Sequence, residues 1–313
     1  MKQHALLGVA AAAMCAASAS AQYVVELVAW NLNEPQGIDV LQRGSRHHAY
    51  FGETDALRRA IAGLGVTAPV KSGVCNAAGV AVNSLGDVFW TCTDEGAIYK
   101  FDAYTGDVAM FMSGLDQPKG IDLDRYGNVY YTEASKVSMY DGMMVTQIAD
   151  GCAFSDVAVT EDGRVYWSCL DQGTVSFIEK VGDMPEQLLT GLNSPVGLAV
   201  NRHGTRLAVL EAPTPGASAA MSGANFVWEI NLNTGARSIV MYGESEPYDA
   251  AYGRDNCLYW TDRAEGVIYR ACPPTPVEQV YSPEEPWWER VCNLPAPHWW
   301  PHWLSWPPFW CDR

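Results

Sequence analysis

One pattern recurs six times along the chain and limits what it can fold into. Each copy opens with Gly or Asp and continues as a short apolar run. A Gly- or Asp-containing turn follows, then a segment of the type Val-aromatic-aromatic-Thr, then an acidic turn. The clearest copies begin at Gly79 (GVAVNSLGDVFWT), Gly120 (GIDLDRYGNVYYTE), Asp156 (DVAVTEDGRVYWS) and Asp249 (DAAYGRDNCLYWTD). Fainter copies begin at Gly37 and Gly197, so these anchors recur every 36 to 52 residues. Val, Ile, Tyr, Trp and Thr fill the segments, while Gly, Asp and Asn punctuate them, which favours strands over helices. The first run of each copy is nearly all apolar, as for a strand buried on both faces. A period near forty residues with about four short strands per unit is the signature of propeller blades. One unit cannot bury its faces alone, whereas six in a ring can. The expected fold is therefore all-β: a six-bladed β-propeller of four-stranded antiparallel blades, followed by an irregular Trp/Pro-rich C-terminal tail.

The expected organisation is a signal peptide over residues 1–21, a propeller over 22–282 and a tail over 283–313. Residues 5–17 form a small-residue apolar run, and Ala19-Ser20-Ala21 is a suitable cleavage site. That run is too short to span a membrane, and no later stretch reaches the ~18 uninterrupted apolar residues needed. The chain is read as secreted and without a transmembrane segment. The net charge of −16 argues against a nucleic-acid partner. Two segments compete to close the ring as the outermost strand of the last blade, Tyr23–Trp30 and Val277–Tyr281, and the sequence does not choose between them.

Eight cysteines follow the leader, an even number that reads as disulfides in an exported chain. Cys75 and Cys92 stand in the same register to their anchor as Cys152 and Cys169 do to theirs, each first cysteine four residues before it. Each pair would tie the start of a first strand to the end of the second. Cys257 and Cys272 straddle the turn between the second and third strands of the sixth copy, and Cys292 and Cys311 pair by elimination. Metal ligation by these cysteines is a poor alternative, because no CxxC pair occurs.

Two motifs carry a resemblance. Leu258-Tyr259-Trp260-Thr261-Asp262 resembles the YWTD repeat of lipoprotein-receptor propellers. Gln117-Pro118-Lys119-Gly120-Ile121-Asp122, followed by Tyr126-Gly127-Asn128-Val129-Tyr130, resembles an NHL repeat. Both belong to a broad six-bladed group that also holds gluconolactonase-like and strictosidine-synthase-like enzymes. The resemblance spans roughly residues 34–271 and implies the fold more than an activity. Hydrolases of that group hold a divalent cation, often calcium, at the channel mouth through acidic and Asn side chains. The typical Asn between Pro and Gly is here Val196, which cannot ligate, and Glu34 lies in a context that does not match. Asp249 is the one reasonable carry-over. The His-Glu-His arrangement of the streptogramin-lyase type has no counterpart around His47, His48 or His203.

The residues just before the anchors stand near one mouth of the channel, and Gln36, Lys119, Ser155 and Tyr248 are the candidate polar ligand-binding set there. Asp39 and Asp122 share the position two after the anchor, where other copies have Ala81, Ala158, Ala199 and Ala251. Alternation places all six on one face, toward the channel. With Asp249, these two carboxylates are the candidate metal residues, with calcium as the possible cofactor. His47 and His48 point to opposite faces of a strand, read as one solvent-facing and one packed. The tail carries Trp287, Trp288, Trp299, Trp300, Trp303, Trp306 and Trp310 among many prolines. It reads as a platform for sugars or a membrane interface, as a flap over the propeller, or as misread coding sequence. The expected function is a secreted propeller that binds an extracellular protein or carbohydrate through the channel mouth or the tail. The alternative is a cation-dependent hydrolase or lyase of the gluconolactonase or strictosidine-synthase type. No catalytic residue is identified.

Overall fold

The computed structural model describes residues 23–212, 225–243 and 246–273. Its strands form six antiparallel sheets of four strands each. In five blades the strands, here A to D from the axis outward, follow chain order. The A strands are Ile38–Arg43, Ala77–Val82, Ile121–Leu123, Phe154–Val159, Pro195–Val200 and Pro247–Tyr252, in blades 1 to 6. Each begins at or within three residues of an anchor predicted from the repeat.

The sixth blade decides how the ring closes. Its D strand is Val24–Ala29, paired antiparallel to Val267–Cys272 with Val24 opposite Cys272. The first segment of the described chain thus completes the last blade. Val277–Tyr281, the competing segment, lies outside the described residues, as do the proposed leader, the tail tryptophans and Cys292 and Cys311. Tyr23, just before this strand, donates its hydroxyl to Glu229 of blade 5, and Tyr252 of blade 6 donates to the other oxygen of the same carboxylate at 2.7 Å. Burial of Glu229 is offset by these two donors and by Arg206 at 3.5 Å.

The Val-aromatic-aromatic-Thr segment is the B strand, and its alternation builds the walls between blades. Tyr259 packs with Ile38 and Phe51 of blade 1, while its neighbour Trp260 faces blade 5 with Ala199 and Leu210. Successive side chains of a strand point to opposite faces, so one dipeptide fills two interfaces. The Thr that follows ties blades together. Thr91 Oγ1 accepts from Gly79 N at 2.8 Å and donates to the Lys119 carbonyl of the next blade at 2.5 Å. Thr132 links Gly120 to Ser155 in the same way, and Thr261 links Asp249 to Gln36 across the ring closure. Near the axis the A strands crowd together. A Cβ on Gly37 would come within 2.6 Å of the Gly79 backbone, so this anchor tolerates only glycine.

The disulfides Cys75–Cys92, Cys152–Cys169 and Cys257–Cys272 pair as the repeat predicts. The first two have equal Cα separations of 5.8 Å, as identical placement in two blades requires.

Candidate functional site

A cavity of about 200 Å³ runs along the axis and opens on the face that carries the A–B turns. Four aspartates supply its charge. Asp39 and Asp122 lie two after the anchors of blades 1 and 3; Asp156 and Asp249 are themselves the anchors of blades 4 and 6. Of the six residues that alternation places toward the channel, Asp39, Asp122, Ala158, Ala199 and Ala251 line the cavity, whereas Ala81 packs in the core beside Phe89 and Val129.

The four carboxylates share one geometry. One oxygen accepts the N–H of the next residue, and the other accepts an N–H from another blade's A strand. Asp39 takes Val40 at 2.6 Å and Val82 at 2.7 Å. Asp122 takes Leu123 and Val159, both at 2.7 Å. Asp156 takes Val157 at 2.8 Å and Leu198 at 2.7 Å, and Asp249 takes Ala250 at 2.7 Å and Ile38 at 2.9 Å. In each case the second partner lies in the following blade, so these side chains clamp blade 1 to 2, 3 to 4, 4 to 5 and 6 to 1. An N–H donor to a carboxylate contributes roughly 1.5–3 kcal/mol.

Burial dominates the electrostatics. It raises the Asp39 carboxyl to about 6, against the two N–H donors that favour ionisation. Asp122 is pushed well up by burial and then by the charge of Asp39. Burial also raises Asp156 and Asp249, which hydrogen-bond to each other across the axis, so the pair holds a proton between them. Two carboxyls sharing a proton can give and take it, but no Ser, Cys, His or Lys is among the residues lining this cavity.

Asp156 is the member that the sequence reading left out. The signal was there: it takes the anchor position, as Asp249 does, where the other four blades have glycine. Asp249, at the same position, stands out only through the family resemblance, because the repeat by itself marks an anchor as a turn residue.

The other mouth holds a cavity of about 20 Å³ lined by Lys119, Ser155, Tyr248, Asp156 and Asp249. Three of the four predicted mouth residues therefore converge, and the Asp156–Asp249 pair forms a waist between the two cavities. Gln36 does not line either one; its main chain is spent on Gly52 and Thr261. The Ser155 hydroxyl donates to the Val196 carbonyl at 2.8 Å, and the Arg263 guanidinium lies 5.1 Å from the Tyr248 ring centre. His47 and His48 are both partly buried, contrary to the expectation of one facing solvent. His47 Nδ1 lies 3.3 Å from Asp255 of blade 6, and burial followed by Arg59, Arg43 and Arg46 lowers His48.

Calcium needs about six to eight oxygen ligands at 2.3–2.6 Å. The channel carboxylates turn both oxygens to main-chain donors, and among the described residues no three acidic groups there bring ligand atoms within 4.8 Å of one another. The one cluster that does so joins Asp255 to Cys257 and Cys272, whose sulfurs are bonded to each other. As folded, the donor set does not fit a calcium ion.

No protein-family model and no curated protein matches the chain. Solved structures do. A gluconolactonase from Xanthomonas campestris matches with a TM-score of 0.65 at 13% identity, over 80% of this chain and 90% of its own. A streptogramin B lyase matches at 0.56 and 14% identity, over 80% and 97%. A chain from a nidogen/laminin complex matches at 0.59 and 18% identity, over 69% and 85%. Two of these are named for reactions and the third for a protein complex, and at such identities what they share with this chain is the fold: a six-bladed β-propeller.

Proposed function

We propose that this chain is an exported binding propeller, taking an extracellular protein or carbohydrate at a channel mouth, and that its channel carboxylates are structural. One observation carries this reading: Asp39, Asp122, Asp156 and Asp249 each use both oxygens to join one blade to the next. Side chains so committed spend a lone pair of each oxygen on a main-chain donor, which leaves fewer to ligate a cation or activate water. The three disulfides agree with an oxidising compartment, and no helix among the described residues is long and apolar enough to cross a membrane.

The cation-dependent hydrolase is the second reading. The proton shared by Asp156 and Asp249, at the waist between two cavities, is what favours it. Metal analysis of the purified protein separates the two. The binding reading expects less than stoichiometric calcium after dialysis and no rise in melting temperature on adding it. One calcium per chain, together with lactone hydrolysis that a chelator abolishes, would overturn it.

A further inference from the structure

The two mouths differ in free charge. The A–B turns ring the larger cavity, and five of the six carry arginine: Arg43 and Arg46 in blade 1, then Arg125, Arg164, Arg202 and Arg254 in blades 3 to 6. These arginines make a cationic inner ring, while the outer C–D turns on the same side carry Asp102, Asp107, Asp141, Glu179 and Asp183. The acidic groups of the A–B turns are matched internally. Asp87 pairs with Lys100 at 2.9 Å, Asp124 accepts from Tyr126 N and Asn128 N, Glu161 meets Arg202 at 3.4 Å, Asp162 accepts from Thr160, and Asp255 lies beside His47. Arg164 is taken by Glu179 at 2.8 Å. Arg43, Arg46, Arg125 and Arg254 are exposed and form no ion pair with a carboxylate among the described residues.

These four guanidiniums follow the ring, and Arg125 donates to the Tyr126 hydroxyl. Arg254 lines the cavity mouth. Arg43 reaches along the rim to the Leu85 carbonyl of blade 2, and Arg125 of blade 3 feels Glu161 and Asp162 of blade 4. On this side of the ring stand two exposed aromatics. Tyr126 is 70% exposed with the Arg125 guanidinium 4.7 Å from its ring centre, and Tyr104, on the C–D turn of blade 2, is 97% exposed. C–D turns lie on the same side of the ring as A–B turns, because alternate strands run antiparallel.

We infer that this rim binds an anionic polysaccharide, its carboxylates or sulfates held by Arg43, Arg46, Arg125 and Arg254 and a sugar face by Tyr126. Guanidinium forks match carboxylate and sulfate oxygens, and exposed phenol rings offer flat apolar faces to a sugar. Guanidiniums spread over blades 6, 1 and 3 call for a ligand with repeated charge, which a polymer supplies and a single small anion does not. This inference deepens the binding reading proposed above. Metal analysis tests that reading and retention tests this one, so either can fail alone.

The experiment passes the full chain over immobilised heparin, polygalacturonate and fully methyl-esterified pectin in about 50 mM salt, then raises the salt. Retention is expected on heparin or polygalacturonate, not on the neutral ester, with elution by salt. Arg43→Glu with Arg254→Glu should weaken binding at least about tenfold, or 1.4 kcal/mol. Lys71→Glu with Lys136→Glu, with the same change in net charge but at the ends of strands on the opposite side of the ring, should leave it within about twofold. Melting curves confirm that each variant is folded. Absence of retention on both charged polymers, equal retention on the ester, or equal loss in the two double variants would overturn the inference. Capture of an acidic protein with no polymer bound also overturns it and moves the rim to a different class of partner.

Discussion

Blades 2 and 4 hold the loop that enters them differently from blades 1, 3, 5 and 6. At the end of each B strand, or one residue past it, stands one equivalent position, occupied in blade order by Glu53, Cys92, Glu133, Cys169, Glu211 and Asp262. In blades 2 and 4 the cysteine bonds to Cys75 or Cys152, four residues before the anchor. In blades 1, 3 and 5 the carboxylate accepts the main-chain N–H at that same place, from Asn33, Asp116 and Asn193. Asp262 does so for Glu246, one residue later. A covalent bond and a buried charge thus perform one mechanical task, fixing the loop that leads to the inner strand. They leave different traces. The next residue in blades 1, 3 and 5, Glu34, Gln117 and Ser194, has φ of 49 to 50°, in the left-handed region that costs a residue with a Cβ. The hydrogen-bonded pin therefore works against local backbone strain.

The largest effect expected is loss of a covalent pin. Cys152→Ser with Cys169→Ser should cost about 3 kcal/mol in urea unfolding, from chain entropy regained by the unfolded state. A cost near zero would mean that the loop is held by its hydrogen bonds alone, since Asp171 also accepts from Ala153 N at 3.0 Å. Glu133→Ala should cost about 2 kcal/mol, because it removes a buried acceptor from Asp116 N and the 3.1 Å pair with Lys136. Asp116→Cys with Glu133→Cys then tests whether the two pins are interchangeable, with a thiol titration reading whether the new bond forms.

A third effect separates these rim carboxylates from those of the channel. Asp39 titrates at about 6 in the folded protein and near the ordinary 4 when unfolded. Its folded form binds the proton more tightly, so its contribution to stability is complete below pH ~4 and is lost as pH rises through about 6. Melting temperature should fall over that window, and Asp39→Asn should flatten the slope whatever it does to the midpoint. The smallest effect concerns the strain. Gln117→Gly should raise stability by about 0.5–1 kcal/mol, since glycine adopts this φ freely. A loss instead would show that the Gln117 side chain contributes more than its backbone costs.

Much of this was legible in the sequence because the repeat is local. The anchors, the aromatic pair of Tyr259 and Trp260, and the pairings of Cys75, Cys152 and Cys257 follow from spacing within about twenty residues. The pin at Glu133 was not legible, because a carboxylate that caps a loop looks the same in sequence as one that faces water. Asp156 was missed for a related reason: its partner Leu198 lies in the next blade, and its neighbour Asp249 lies two blades away.

By itself the chain determined the number of blades, their registers and their covalent staples, since strand alternation and turn residues act over short distances. Only the tertiary structure decided the rest. It chose Val24–Ala29 to close the ring, turned the four channel aspartates into clamps between blades, and left four rim arginines with no carboxylate partner among the described residues. These outcomes depend on which backbone donors and which opposite charges meet when six units close around an axis, and residues that far apart in sequence carry no local mark of their meeting.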